Sequence, residues 1–343
     1  MKKLSVFLTS ILFISALCLV SCSKKNSSDS DSAKEVTVYT YDSFISEWGP
    51  GPEIARLFLE KTGITVNFVD CGDGAQILSK ALSEKKSPES DVLLGLDNNL
   101  AWKARKAGIL ESYKPDGYEN LYDGLEESLG GDWILTPFDF SHFAIIFDTE
   151  SGLIPPSNLS DLAKDEYAGK LILMDPRTST PGLGFTAWTY AVFGEDYLNY
   201  WKSLKKSILT MSPGWSSGYG LFTKGEAPMC SSYTTSPAYH VEYGEGDRFQ
   251  AVIFPEGHVQ QVEGAGITKG AKNIKAAKTF IDFLISYEAQ ITIPLTQWMF
   301  PVNKSVVLPE SYKIAAPVPE KTLNYDASKL DEVIEKILPF ISE

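Results

Sequence analysis

Cysteine, histidine and positive charge are all in short supply in this 343-residue chain. Its four cysteines are Cys18, Cys22, Cys71 and Cys230, and none stands in a CxxC or Cys/His spacing, so no zinc site is written into the sequence. Cys71 and Cys230 lie far apart, in what read as different lobes, and are expected as free thiols. The three histidines, His142, His240 and His258, assemble into no nucleophile, base and acid set, and each reads as structural. Lysine and arginine number 31 against 44 acids, a net charge of −13, which disfavours nucleic acid as a partner. Acidity of that size serves solubility and is compatible with a cationic small ligand. No low-complexity segment or short repeat interrupts the chain.

What is present begins with Lys2 and Lys3, followed by an apolar run at 4–20 that is short for a membrane-spanning helix and suits a secretory leader. Leu19-Val20-Ser21-Cys22 resembles a bacterial lipobox, so residues 1–21 are expected to be a lipoprotein signal and Cys22 the lipid-bearing residue. Losing Lys2 and Lys3 takes the net charge from −13 to −15. Residues 22–34, mostly SKKNSSDSDSA, are too poor in buriable surface to fold and read as a flexible tether. The expected protein is exported and lipid-anchored to a bacterial membrane, facing periplasm or cell exterior.

The remaining length suits two lobes. EVTVYT at 35–40 alternates as a strand, EIARLFLEKT at 53–62 has helical periodicity, and 64–69 is a second strand; a helix at 75–85 and a strand at 91–94 (DVLL) follow. This alternation predicts an α/β fold, each lobe a mostly parallel sheet flanked by helices. The apolar alternation at 133–148 is too long for one simple strand and suits a crossing between lobes, with a hinge near 138–142. A second α/β set occupies 171–233, and 249–254 with 259–266 look like the return crossing. Lobe I is therefore expected at 35–139 and 255–343, with part of the C-terminal tail on lobe II, and lobe II at 140–254.

The stretch DPRTSTPGLGF at 175–185 places Ser179 and Thr180 at a helix start before Pro181, where hydroxyls and free N–H groups can point at one anion. The same residues also read as an ordinary capped helix. SSYTTSPAY at 231–239 repeats the logic, with Thr235 or Ser236 as N-cap and Pro237 at the first helical position. Trp215 opens a third polar helix start and Asp73-Gly74 a fourth. Tyr41, Trp48, Trp215, Tyr233, Tyr239 and Trp298 all fall at element ends. Rings there, with carboxylates such as Asp73, suit a flat cation, each cation–ring contact being worth about 0.5 to 2 kcal/mol.

TVYTYDSF, WGPGP, the DG after the second strand, DVLLGLDNN, DPRTSTPGLG, the GW leading to YGLF, SYTTSPAYH, EGH and QWMFPV, in that order across nearly the whole mature chain, resemble the thiamine-binding periplasmic proteins of ABC transporters. The resemblance implies a two-lobed type II periplasmic-binding fold that closes on thiamine or its mono- or diphosphate. Such a protein is a monomeric carrier without a cofactor of its own, handing its ligand to a membrane permease and its ATPase. Carried over by motif, ligand contacts are Asp73, Gly74, Ser179, Thr180, Trp215, Tyr233, Thr234, Thr235 and Ser236, with Tyr41, Trp48, Tyr239 and Trp298 as cleft aromatics. Cys71 in the CGDG segment and the lipoprotein leader depart from that family's pattern. Three other functions suit the same fold. A thiamine-cleaving thiaminase needs a cysteine nucleophile, and Cys71 lies near the expected cleft, but the flanking Asp70 and Asp73 raise a thiol pKa. Ferric iron needs neighbouring tyrosinates with a carboxylate or histidine, and a polyamine leaves Ser179 and Thr180 idle.

Overall fold

The computed structural model describes residues 34–341; the expected leader, the lipid site at Cys22 and most of the tether lie outside the described residues. The α/β reading holds. Twelve strands form one continuous sheet: β1 (Glu35–Thr40), β2 (Thr65–Asp70), β3 (Val92–Asp97), β4 (Leu110–Glu111), β5 (Thr136–Asp148), β6 (Leu171–Met174), β7 (Ile208–Ser212), β8 (Met229–Tyr233), β9 (Phe249–Val252), β10 (His258–Thr268), β11 (Phe300–Pro301) and β12 (Thr322–Leu323). The spatial order is β2-β1-β3-β10-β5-β8-β6-β7. β1 pairs in parallel with β2 and β3 at one end, and β6 with β7 and β8 at the other.

The two parallel regions are joined by the long antiparallel strands β5 and β10. β5 is a single 13-residue strand, not two pieces around a loop. Its first half pairs with β10 and its second half, from Phe143, with β8 and β9. The expected hinge at 138–142 falls where β5 passes from one set of partners to the other.

Sequence sets the local elements by ordinary means. β3 is buried along its whole length, which is why it reads as an apolar run. It extends to Asp97, past the expected end at Leu94, because Gly95 takes a φ of 106° with the Tyr41 ring packed where a Cβ would stand. Asp97 then caps a helix, Asn98–Ala107. The Thr180–Phe193 helix is buried on nearly every side through its first ten residues. It lies so close to the sheet that a Cβ on Gly184 would meet the Phe143 ring at 2.0 Å. The C-terminal helix, Leu330–Ile341, packs on this helix and on Tyr197–Leu204. Among the described residues, no helix is long and apolar enough to cross a membrane.

Candidate functional site

A cleft opens at the ends of β1 and β8, between the two regions of the sheet. Asp73 forms one edge. It is the N-cap of the Gly74–Ser83 helix, and its Oδ1 accepts from Gly74 N at 2.7 Å. The same oxygen accepts the backbone N–H of Thr180 at 3.0 Å and its hydroxyl at 2.9 Å. One carboxylate therefore serves two helix starts on opposite walls. Gly74 allows this approach, since a Cβ there would lie 2.4 Å from Thr180 Oγ1. Burial nevertheless pushes the Asp73 carboxyl up, against the pull of those N–H bonds.

The helix start at Ser179 and Thr180 differs from the expected cradle. Its donors at Thr180 are engaged by an internal anion, and neither hydroxyl caps its own helix. Ser179 Oγ is fully buried beside the Asp73 carboxyl, outside hydrogen-bond geometry.

Rings line the opposite wall. Trp215 stacks on Tyr219 with centroids 5.1 Å apart and donates its indole N–H to Ser232 Oγ at 2.8 Å, which fixes the ring plane. Trp48, half-exposed, reaches it across the opening with centroids 6.4 Å apart. Trp298 closes the end with its backbone in the left-handed region, φ 60°, a conformation costly for a bulky side chain. Its ring packs edge-on against Tyr239 at 5.3 Å. Tyr239 lies outside this cleft, in an adjoining hollow that shares Trp48, Trp215 and Trp298 with it.

Tyr233 and Ser236 reach the cleft, whereas Thr234 and Thr235 are fully buried behind it against Ser141. Ser236 Oγ accepts from Tyr233 N and pairs with Ser232 Oγ, tying the loop to the wall that holds Trp215.

The floor is a polar chain that motif reading missed. Tyr233 donates to Gln261 Oε1 at 2.9 Å, and Gln261 Nε2 donates to Glu263 Oε1 at 2.6 Å. Tyr41 donates to Glu263 Oε2 at 2.7 Å and accepts from the Gln297 amide. Burial drives the Glu263 carboxyl well up, opposed by the Tyr41 bond and aided by Asp97 and Asp73. An acid in the middle of a buried crossing strand, and Gln297 beside Trp298, were the available signals. Among the described residues, the side chains lining this cleft include Asp42, Asp73 and Glu263 but no lysine, arginine or histidine.

The cysteines and histidines behave as expected. Both thiols are free. Burial pushes Cys71 up to about 11, Lys80 opposing and Asp70 adding to the rise, so the thiol stays protonated near neutrality. His258 donates from Nδ1 to Phe143 O and accepts Phe254 N–H at Nε2; His142 pairs with Thr322 and His240 with Tyr219 and Glu245. Among the described residues, no group of three or more histidines, cysteines or acids is placed to hold a metal ion.

A family description for bacterial extracellular solute-binding proteins matches residues 53–320. The chain belongs to that family. The role of such a solute-binding protein is transport, not catalysis, and the family is exported. The chain is 44% identical over 291 residues, 84% of its length and 85% of the relative's, to the thiamine-binding periplasmic protein of Brucella abortus biovar 1 (strain 9-941). It is 39% identical over 279 residues to the protein of that name from Escherichia coli (strain K12), covering 81% of this chain and 84% of the relative. A solved structure named as a periplasmic thiamin binding protein superposes with a TM-score of 0.84 at 36% identity, covering 92% of this chain and 98% of its own. The solute-binding protein thus has the two-lobed type II fold that its motifs implied.

Proposed function

We propose that this protein captures thiamine, or thiamine mono- or diphosphate, in the cleft and delivers it to an ABC permease with its ATPase, while a lipid on Cys22 holds it to the membrane. The observation that carries the reading is the cleft's chemistry: Trp48, Trp215 and Trp298 line it together with the acids Asp73 and Glu263, with no basic lining group. That arrangement favours a flat organic cation such as a thiazolium ring. The names of the relatives point the same way.

In this reading Trp215 and Trp48 take the rings of the ligand from two sides, and Tyr233 and Ser236 supply hydroxyls at its end. Asp73 and Gly74 on one wall and Ser179 and Thr180 on the other close around it, the lobes being 35–139 with 255–343 and 140–254. A phosphate would have to compete with Asp73 for the donors of Thr180 or for the Ser179 hydroxyl beside it. Calorimetry of refolded, ligand-free protein with all three vitamers tests the assignment. Submicromolar binding of at least one is the expected result, and the absence of heat with all three overturns it.

A further inference from the structure

Glu263 and Asp139 stand directly opposite each other on β10 and β5. Directly paired residues of an antiparallel ladder share a face, with Cβ atoms about 5 Å apart. Both are buried, Asp139 completely. Glu263 has Tyr41 and Gln261 as donors, whereas the only donor facing Asp139 is the Gln297 amide, which stands outside hydrogen-bond geometry. The groups facing the pair are acidic or neutral. They are Tyr41 at the end of β1, Asp97 on β3, Asp73 at its helix start, Tyr233 on β8, and Gln297 and Tyr312 from the C-terminal segment. Two facing carboxylates in such a place do not both ionise, because each charge is desolvated and repelled by the other. They titrate as a unit. Glu263 also lines the cleft, while Asp139 lies behind it.

We propose that Glu263 and Asp139 form a proton-exchanging charge selector under the cleft, holding a proton when the cleft is empty and releasing it to solvent when a cation settles above Glu263. The inference rests on the reading of the ligand as a thiazolium-type cation. The cation supplies the positive charge that the proton supplied before, so the net charge of the floor is unchanged on binding. A neutral molecule of the same shape supplies none, and the proton stays. Burial with no base nearby, and the repulsion between the two, drive both carboxyls upward from their usual range, so the pair keeps a proton that an exposed carboxyl gives up. Selection for charge then comes from the floor as well as from the rings.

The test compares thiamine with deazathiamine, the isostere whose thiazolium nitrogen is replaced by carbon and which is therefore uncharged. Both carry the same aminopyrimidine, so its own titration cancels in the comparison. Calorimetry at pH 7 in buffers of different ionisation enthalpy counts the protons released by the wild-type protein. The expected result is up to one more proton released per thiamine than per deazathiamine, and a thiamine affinity that rises with pH by up to about tenfold per unit through the exchange. In Glu263→Gln the extra proton disappears and thiamine loses more affinity than deazathiamine. Asp139→Asn, which keeps shape and removes the repulsion, reduces proton release while binding persists; thermal melts report whether each variant is folded. Thiamine binding with the same proton count as deazathiamine overturns this inference and leaves the thiamine reading standing. No thiamine binding at all overturns both.

Discussion

Asp73 and Thr180 meet across the cleft: one carboxylate oxygen accepts both the backbone N–H and the hydroxyl of the threonine, at 3.0 and 2.9 Å. A second bond, from Ser216 Oγ to Asp42 Oδ1 at 3.0 Å, spans the same gap. Closure is thus stitched by the protein's own acids.

Thr180→Val removes the hydroxyl donor and keeps the shape. Ligand affinity is expected to fall about tenfold, the cost of a hydrogen bond to a charged group, and small-angle scattering of the ligand-free protein to show a larger radius of gyration. Replacing both Ser179 and Thr180 with alanine separates two uses of this helix start. Because the Thr180 donors serve Asp73, calorimetry is expected to show similar losses for thiamine and thiamine diphosphate; a loss confined to the diphosphate assigns these hydroxyls to the phosphate instead.

Trp215→Ala removes both the stacked face and the indole bond to Ser232. The expected loss of thiamine affinity is about 2 kcal/mol or more, roughly 30-fold, read by fluorescence titration. Trp215→Phe keeps a ring and is expected to lose less. A loss below threefold in the alanine variant removes Trp215 from the site.

Trp298 reverses a familiar order. In most positions glycine is less stable than alanine by about 0.5 to 1 kcal/mol. At φ 60° alanine keeps the backbone strain that glycine relieves. Trp298→Gly is therefore expected to melt at or above Trp298→Ala, although both fall below wild type through lost packing against Tyr239 and Tyr243.

Burial, with His258 nearby, lowers His142 from 6.5 to about 4. Below pH 6.5 the unfolded chain binds a proton there that the folded chain refuses until about pH 4. Stability is consequently lost as pH falls through that window, by roughly 3 kcal/mol in total. The carboxyl pair at Glu263 and Asp139 acts in the opposite sense, losing stability as pH rises. The difference in melting temperature between wild type and His142→Gln, followed from pH 7 to pH 4, isolates the histidine and is expected to shrink on acidification.

Strands such as Glu35–Thr40 and Met229–Tyr233 were legible because alternation or continuous apolarity survives in a short window. The start of the Asn98–Ala107 helix is less legible, since its cap Asp97 sits in a run of polar residues that reads equally as a turn. The cleft rings were legible because aromatic side chains at element ends are unusual. The floor was hidden for a different reason. Glu263 meets Asp139 only through the register of two strands far apart in the chain, and no local pattern encodes that register. Ser179 and Thr180 were placed correctly at a helix start, but the identity of their anion, Asp73, is a property of the assembled fold.

The continuity of β5 and β10 gives the molecule the mechanics of a leaf spring. Any change in the angle between the two parallel regions has to be absorbed as twist and bend along the paired strands and at the irregularity of β10 between Glu263 and Gly264, since no slack loop interrupts β5 between Thr136 and Asp148. Opening is then expected to store elastic energy that favours return, and hydrogen exchange to find the amides of the crossing protected while the rim of the cleft exchanges with solvent.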